Sequence, residues 1–382
     1  MARYTPEKCA DIEQIVREAL QNQKSLQITG YGTKKNLGGR VLAHDEISLS
    51  AHSGITDYQP EELVMVARSG TPLTEIEETL DKHGQMLAFE PPHLDKLYGQ
   101  STPGSLGGVI ACNLSGSRRI SVGAARDYLL GFDAISGRAG YFRSGSKVMK
   151  NVTGYDLSKL MCGSFGMLAV MSEITLKVLP RPEFTTSVSV TCASLAEAHS
   201  AMSISFGSAT EPSGGAIIKS GGGFKAVLRL EGVKISVNDR ISALSTLLEK
   251  IGTLRHMSAE ESIKFWKMMR DITCLRKDAE QVWKLSVTPS YAPQIITELE
   301  ATFRVDYALD WAGGLIWLGG EGEDLGAVIR AVLARQDGGH ATLMRAPEAI
   351  RASQPVFQPL DTALGGLQAR IKTAFDPMNI LN

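Results

Sequence analysis

The sequence predicts an α+β protein of two domains, and three observations lead to this prediction. At 382 residues the chain exceeds the size at which one hydrophobic core usually keeps growing. Short apolar strands alternate with glycine-rich loops in the first half and with helices in the second. Pro180 and Pro182 end the last predicted strand of the first half. We therefore expect domains at 1–184 and 185–382.

The elements of the first half follow a strand, loop, strand, helix order. Thr5-Pro6 and the apolar stripe behind it predict an opening helix, because proline suits the first helical turn. A short strand at 26–28 leads into a tight loop rich in glycine. Residues 62–70 predict a buried strand, followed by a helix from Thr71-Pro72 to Gly84. The long apolar run at 167–179 predicts a further strand.

The second half alternates strands and amphipathic helices. A strand at 185–192 precedes a helix at 195–205, and a hairpin follows around the glycines at 221–223. A capping box that begins at Ser236 predicts the start of the next helix. A later helix covers 325–333. This order predicts helices packed on one antiparallel sheet.

Composition excludes several classes of protein. The 40 basic and 41 acidic side chains leave a net charge of −1, so no nucleic-acid partner is expected. No run of about 18 apolar residues occurs, so we expect no membrane span. The five cysteines are scattered, which is typical of a reducing compartment and excludes an iron–sulfur cluster ligated within this chain.

Standard nucleotide and catalytic motifs fail at specific positions. The turn at 30–32 begins like a dinucleotide fingerprint, but Lys35 stands where the third glycine belongs. A P-loop spacing ends at Gly104, but Ser105 replaces the phosphate-binding lysine. The motifs HExxH, GxSxG and paired CxxC do not occur, so neither a metal site nor a serine hydrolase is expected.

Two loops rich in small residues remain unexplained. The first covers 30–39, and the second is "PGSLGGVIACNLSGSRR" at 103–119. Backbone amides in tight turns form anion-binding concavities, so a phosphorylated, planar ligand between the loops would account for both. A third small-residue run at 162–166 favours this interpretation over the alternative, two unrelated surface hairpins.

These loops resemble the vanillyl-alcohol oxidase, or p-cresol methylhydroxylase (PCMH), family of FAD-binding proteins. "ITGYGTKKN" resembles the first pyrophosphate loop of that family, and "PGSLGGVIACNLSG" resembles its flavin segment, with Val109 and Cys112 at positions usually held by asparagine and threonine. Residues 150–180 are similar to the 2-hydroxyacid dehydrogenase branch, with Phe165 in place of a glutamate. The resemblance covers roughly 20–182. It implies a two-subdomain PCMH-type FAD-binding domain followed by a smaller α+β, ferredoxin-like cap domain.

The resemblance also implies non-covalent FAD and its contacts, because the first loop lacks the histidine to which relatives tether the flavin. The residues implied at the pyrophosphate are Gly30, Gly32, Thr33, Lys34, Lys35 and Asn36. Those implied at the flavin and ribityl chain are Pro103, Gly104, Ser105, Gly107, Gly108, Asn113, Ser115 and Gly116. Backbone contacts near the ring are implied for Gly166 and Val170.

Further segments, including "GQMLAFEPPH" and "KVMKNVTGYDLSKLM", resemble the FAD-binding subunits of bacterial glycolate oxidases. This likeness implies oxidation of glycolate, a small 2-hydroxy acid, to glyoxylate. It also implies two partners, a larger FAD-containing catalytic subunit and an iron–sulfur subunit that takes the electrons. The implied location is cytoplasmic, with peripheral contact to the inner membrane face through the complex as an alternative.

The sequence leaves the catalytic residues unknown. The histidine-containing Gly-Asp-Gly-Asn-x-His motif of related hydroxyacid dehydrogenases is not found, and His199, His256 and His340 stand in no similar context. One alternative is a self-sufficient FAD-dependent 2-hydroxyacid dehydrogenase, which requires an unrecognised base in the second domain. Another is a structural subunit that has lost its flavin.

Overall fold

A computed structural model describes residues 1–146, 155–336 and 338–381. Lys150 to Gly154, which open the third family-like segment, therefore lie outside the described residues. Among those that are described, no helix is both long and apolar enough to traverse a lipid bilayer.

The part of the chain before residue 184 is here called the N-terminal unit, and its described residues form three sheets. Its strands are β1 (Arg3–Tyr4), β2 (Leu26–Thr29), β3 (Asp45–Ser48), β4 (Ile55–Gln59), β5 (Val64–Arg68), β6 (Gln85–Met86), β7 (Leu129–Ser136), β8 (Tyr141–Gly145), β9 (Ala169–Lys177) and β10 (Leu179–Pro180). Its helices are α1 (Cys9–Gln21), α2 (Leu73–Asp81), α3 (Asp95–Tyr98), α4 (Leu106–Ala111), α5 (Arg119–Val122), α6 (Ala125–Tyr128) and α7 (Leu157–Met161).

Two of these sheets form two subdomains. A parallel sheet has the order β1-β3-β2, and an antiparallel sheet has the order β4-β5-β9-β7-β8. The apolar stripe of α1, with Ile12 and Val16, packs on Ile47 of the first sheet and on Ile135 and Val170 of the second. Burial of this stripe therefore joins the two subdomains around a shared core.

Two predictions for this unit need correction. The first helix begins at Cys9 rather than at Thr5, because the backbone N–H of Lys8 donates to the carboxylate of Asp11 at 3.0 Å and fixes the first turn there. The second small-residue segment is not only a loop. Ser105 caps the short helix α4 by accepting a hydrogen bond from the N–H of Gly108 at 3.4 Å.

The remaining strands and helices, up to residue 353, are here called the cap unit. Its strands are β11 (Phe184–Cys192), β12 (Gly214–Ser220), β13 (Gly223–Gly232), β14 (Thr253–Met257), β15 (Gln281–Ser286), β16 (Asp306–Asp310), β17 (Leu315–Gly320) and β18 (His340–Arg345). Its helices are α8 (Leu195–Phe206), α9 (Lys234–Leu248), α10 (Ala259–Arg270), α11 (Ala292–Glu300), α12 (Leu325–Arg335) and α13 (Glu348–Ser353). The helix predicted from Ser236 begins two residues earlier, at Lys234, and has no side-chain cap.

The cap unit is one antiparallel sheet with the order β14-β11-β13-β12-β16-β17-β15-β18. Its two halves repeat the ferredoxin-like strand, helix, strand, strand, helix, strand order, and they meet where β12 pairs with β16. The sequence shows no repeat, so this duplication is visible only in the structure.

Each face of the cap sheet buries a different partner. Helices α8, α9, α11 and α12 pack on one face around Trp283. The other face presents Val282, Trp317 and Met344 to the core of the N-terminal unit. The interface between the units therefore includes an apolar layer.

The C-terminal segment returns to the N-terminal unit. Helix α14 (Thr362–Phe375) leads to Leu381, which bridges to Leu26 of β2, and the side chain of Asp376 accepts the backbone N–H groups of Ile380 and Leu381 at 3.0 and 2.8 Å. The boundary near 184 stays a prediction. These contacts lead us to propose that the closing residues belong with the N-terminal unit.

A charge cluster fastens the two units together. Glu90 of the N-terminal unit accepts both amino groups of Arg229 from β13, at 2.8 and 3.0 Å, and Nε of Arg118 at 3.1 Å. Arg118 also pairs with Glu231 of β13, and the Arg229 guanidinium stacks 4.6 Å from the ring centre of Trp266. Burial raises the pKa of Glu90, but the charges of Arg229 and Arg118 outweigh this effect and lower the pKa to about 2.

We predict that Arg229→Met lowers the free energy of unfolding by about 3–5 kcal/mol, because two carboxylates lose their shared buried cation. Urea unfolding at pH 7 measures the change. The matched control is Arg255→Met, which removes an exposed ion pair with Glu261 and should cost less than about 1 kcal/mol. Equal effects of the two variants would contradict the role of the cluster.

The same cluster should make wild-type stability sensitive to acid. The folded pKa of Glu90 lies below its usual value, so its contribution is present above about pH 4.5 and is lost as the pH falls through about 2.

Candidate functional site

A cleft of about 770 Å³ lies between the two subdomains of the N-terminal unit. One wall is the glycine-rich loop after β2, and the opposite wall is the start of α4. Residues 165–167, Ala169, Met171 and the C-terminal residues 378–380 also line it. Its size is that of an ordinary ligand site.

The two small-residue segments predicted to face each other do so in direct contact. Gly104 has a φ of +100°, and a Cβ there would lie 2.5 Å from Oγ1 of Thr33 and 2.8 Å from Nζ of Lys34. A Cβ on Gly107 would lie 2.7 Å from Cβ of Ser69. Glycine is needed at both positions because a side chain there would overlap atoms of the neighbouring segment.

The two lysines of the first loop differ in their partners. Nζ of Lys35 pairs with the Glu46 carboxylate at 2.7 Å, so its charge is already matched. Lys34 is partly buried and has no carboxylate within ion-pair distance among the described residues; its Nζ donates only to Thr33 Oγ1 at 3.4 Å and to the Pro103 carbonyl at 3.5 Å. Burial lowers the pKa of Lys34. The cleft therefore contains a cation that lacks an anion.

A second polar atom in the cleft also lacks a partner. Ser69 lines the cleft and is buried, yet its Oγ has no hydrogen-bond partner within the described part of the chain. A buried hydroxyl without a partner is costly, so such an atom points to a ligand. Together with Lys34 and the glycine cradle, it fits a long ligand that carries a phosphate and a polar chain.

The sequence-predicted residues divide into two groups in the structure. Those that line the cleft are Gly30, Gly32, Thr33, Lys34, Lys35, Ser105, Gly107, Gly108 and Gly166. Those that do not line it are Asn36, Pro103, Gly104, Asn113, Ser115, Gly116 and Val170. Their roles at the cofactor stay predictions.

Three residues of the second group have other partners. Asn36 Oδ1 accepts from Arg351 at 3.2 Å, and Asn113 Oδ1 accepts from the N–H of Arg126 at 3.2 Å. Val170 is fully buried in the core beneath α1, so its side chain faces away from the cleft.

A second cavity of about 160 Å³ adjoins the cleft at the interface with the cap unit. The two share the residues Leu37, Cys112, Phe165 and Phe357. Ser115 lines this second cavity, and the cap sheet contributes Lys284, Trp317, Thr342 and Met344. The volume accommodates a molecule of a few heavy atoms rather than a dinucleotide.

Sequence reasoning missed several of these residues. Lys284 stands alone among apolar neighbours in the strand "QVWKLSV", which is the signal that could have singled it out. Ser69 and Phe357 carried no such signal, because only the fold brings them to the cavities. Arg118 belongs to the charge cluster between the units.

Neither cavity offers a reactive thiol or a metal site. Burial raises the pKa of the Cys112 thiol to about 11, so it stays protonated at neutral pH. Among the described residues, no group of three or more His, Cys, Asp or Glu side chains is placed to hold a metal ion.

Comparisons with known proteins agree with this geometry. A family model described as "FAD binding domain" matches residues 2–144. Glycolate oxidase subunit GlcE of Escherichia coli (strain K12) is 35% identical over 367 residues, which cover 96% of this chain and 94% of that protein. D-lactate dehydrogenase of Anaerostipes hadrus is 30% identical over 171 residues, 43% of this chain and 34% of its own length.

A solved structure of alkyldihydroxyacetonephosphate synthase superposes with a TM-score of 0.73 at 14% identity, covering 99% of this chain and 76% of the other. This likeness shows a shared fold. The predictions of an α+β fold with a PCMH-type FAD-binding unit, and of FAD as cofactor, are confirmed.

We predict that Lys34→Met weakens FAD binding by about 10- to 100-fold, the loss expected for one charge-assisted hydrogen bond. Titration of the flavin-free protein with FAD, followed by flavin fluorescence, measures it. Lys35→Met should change the affinity less, because Glu46 already neutralises that charge. Lys82→Met, exposed at the end of α2, is the control. A larger effect at Lys35 than at Lys34 would reverse the assignment.

We predict that Gly108→Leu gives a folded protein that does not retain FAD. A Cβ on Gly108 would point toward Nζ of Lys34, 3.4 Å away, so the side chain fills the cleft and the flexible lysine can move aside. Gly365→Leu on α14 is the matched control, since Gly365 lines neither cavity and a Cβ there meets nothing within 4 Å. Normal flavin absorbance in folded Gly108→Leu would contradict this placement of FAD.

Proposed function

The chain belongs to the family of glycolate oxidase subunit GlcE, and from this premise we propose that it is the FAD-binding subunit of a complex that oxidises glycolate to glyoxylate. The observation that carries the proposal is the cleft between the two subdomains, where interlocked glycine-rich segments surround the unmatched cation of Lys34. Similarity along nearly the whole of both chains supports the assignment to this subunit rather than to a FAD domain in general.

The residues of the cleft would hold FAD through its phosphates. Lys34 would supply the positive charge, and the glycines at 107 and 108 would let backbone reach the ligand. Ser69 and Ser105 would add hydroxyl groups to the polar chain of the cofactor. Bound FAD supplies an acceptor for the two electrons that a 2-hydroxy acid loses on oxidation.

The second cavity supports a site for the small acid beside the cofactor. Among the described residues that line it, Lys284 and Cys112 are the titratable groups. Neither a histidine nor a carboxylate lies there to take the hydroxyl proton, the Cys112 thiol stays protonated, and Lys284, with a pKa of about 8, is mostly protonated at pH 7. We therefore propose that a larger FAD-containing partner subunit performs most of the chemical step.

The remaining partners follow from the same proposal. The five cysteines are spread from Cys9 to Cys274, too far apart in sequence for a cluster motif, so electrons would pass to a separate iron–sulfur subunit. The complex would be cytoplasmic, with contact to the inner membrane face through its other subunits.

Alternative functions predict different spectra. A self-sufficient 2-hydroxyacid dehydrogenase would reduce its own flavin with glycolate, whereas a structural subunit would hold no flavin. The unmatched Lys34 and the partnerless Ser69 hydroxyl in the cleft favour a bound cofactor over the structural alternative.

We predict that the isolated chain shows an oxidised flavin spectrum that glycolate does not bleach under anaerobic conditions. The co-purified complex should be bleached by the same addition. Visible absorbance before and after glycolate measures both, and a dithionite reduction of the isolated chain is the control that its flavin can be reduced. Bleaching of the isolated chain by glycolate would establish the self-sufficient alternative, and a colourless chain that takes up no added FAD would establish the structural one.

A further inference from the structure

We propose that Lys284 is the anchor for the substrate carboxylate in the second cavity, so that this chain itself binds the small 2-hydroxy acid. The inference rests on the proposed function and assigns the substrate subsite within it. The cavity lies at the meeting of the two units, next to the cleft with which it shares Cys112, Phe165 and Phe357.

The position of Lys284 in the cap sheet directs it toward this cavity. It lies in β15, opposite Trp317 of β17 and Thr342 of β18. All three residues line the cavity, whereas the neighbouring Trp283 and Leu285 belong to the core on the other face. Alternation along the strand therefore places one cation in a wall that is otherwise mostly apolar.

Lys284 has no counter-ion among the residues that the structure describes. Its Nζ lies 5.3 Å from the ring centre of Trp311, and no Asp or Glu of the described residues lies within ion-pair distance of it. Arg119 also stacks on Trp311, at 4.5 Å, and so adds a second positive charge on that side. A partly buried cation beside another cation is unfavourable until an anion joins it.

The chemistry of the wall fits a small carboxylate. Thr342 and Ser115 offer hydroxyl groups, and the rest of the lining is largely apolar, including Trp317 and Phe357. The cavity has room for a few heavy atoms, so the length of the acid is limited. One charged contact with hydroxyl donors nearby is the pattern that orients a small polar ligand in an apolar site.

The charged groups that face Lys284 give the site a pH dependence. Burial and, next, the charge of Arg119 together lower the pKa of Lys284 to about 8, while Cys112 acts in the opposite sense. The amine therefore loses its charge as the pH rises through about 8. Cys112, with its pKa near 11, stays neutral over that range. An added carboxylate favours the charged amine, so binding at pH 8.5 should take up a proton.

The test measures oxalate binding to the flavin-loaded chain, because oxalate carries carboxylates but no C–H bond to oxidise. Tryptophan emission reports binding through Trp317, and calorimetry in two buffers of different ionisation enthalpy reports proton uptake. We expect Lys284→Met to weaken oxalate binding by at least about tenfold and to abolish proton uptake. Lys264→Met, exposed on α10, should behave as wild type.

Two further arms keep the result interpretable if Lys284→Met fails to fold. Lys284→Arg should still bind oxalate, and its oxalate affinity should not decline between pH 8 and 9.5. In the wild type, neutral glycolamide should bind without a pH dependence in that range, whereas oxalate affinity should fall above pH 8.

Several outcomes would overturn the proposal. These are unchanged oxalate affinity in folded Lys284→Met, flat wild-type oxalate affinity across pH 8, or a loss of FAD affinity in Lys284→Met with oxalate binding intact, which would assign the cation to the cofactor. Failure of the proposed function would instead show as a complex whose flavin glycolate does not reduce, a separate measurement.

Discussion

The arrangement of the second cavity depends on the charge cluster in which Glu90 receives Arg118 from its own unit and Arg229 from the cap sheet. A shift of the cap sheet would separate Arg229 from Glu90 and Glu231 from Arg118 while these charges are still buried in the interface. The cluster therefore specifies one docking position of the cap sheet on the N-terminal unit. The apolar layer beside it supplies attraction, but such packing alone would tolerate small shifts.

That docking position determines what lies around the second cavity. Trp311 follows β16, donates from its indole N–H to the carbonyl of Gly116 at 2.9 Å, and presents its ring to both Arg119 and Lys284. Asp310 accepts from Ser117 at 2.6 Å, and burial raises its pKa to about 6. These bonds link the flavin segment of one unit to the strand ends of the other, so a shift of the cap sheet would move Lys284 relative to the cleft.

The two cavities divide the chemistry between the units. The N-terminal unit supplies glycine-rich backbone and the cation Lys34, which suit a phosphorylated cofactor, and the cap unit supplies Lys284, which suits a small anion. Because the ferredoxin-like order of strands and helices occurs twice, the cap sheet has eight strands and is wide enough to cover the N-terminal unit. In each cavity the unmatched lysine is the feature that a bound ligand would neutralise.

The sequence by itself predicted several strands and helices and the antiparallel sheet of the second half, because hydrophobic periodicity and glycine turns are properties of neighbouring residues. Its resemblance to a known family implied the FAD-binding fold. The sequence also placed Lys34 and Lys35 together in one loop. Only the tertiary structure decided that Glu46 neutralises Lys35 and leaves Lys34 unmatched. Only the tertiary structure placed Lys284 at the second cavity, because contacts between residues far apart in the chain depend on how the two units pack together.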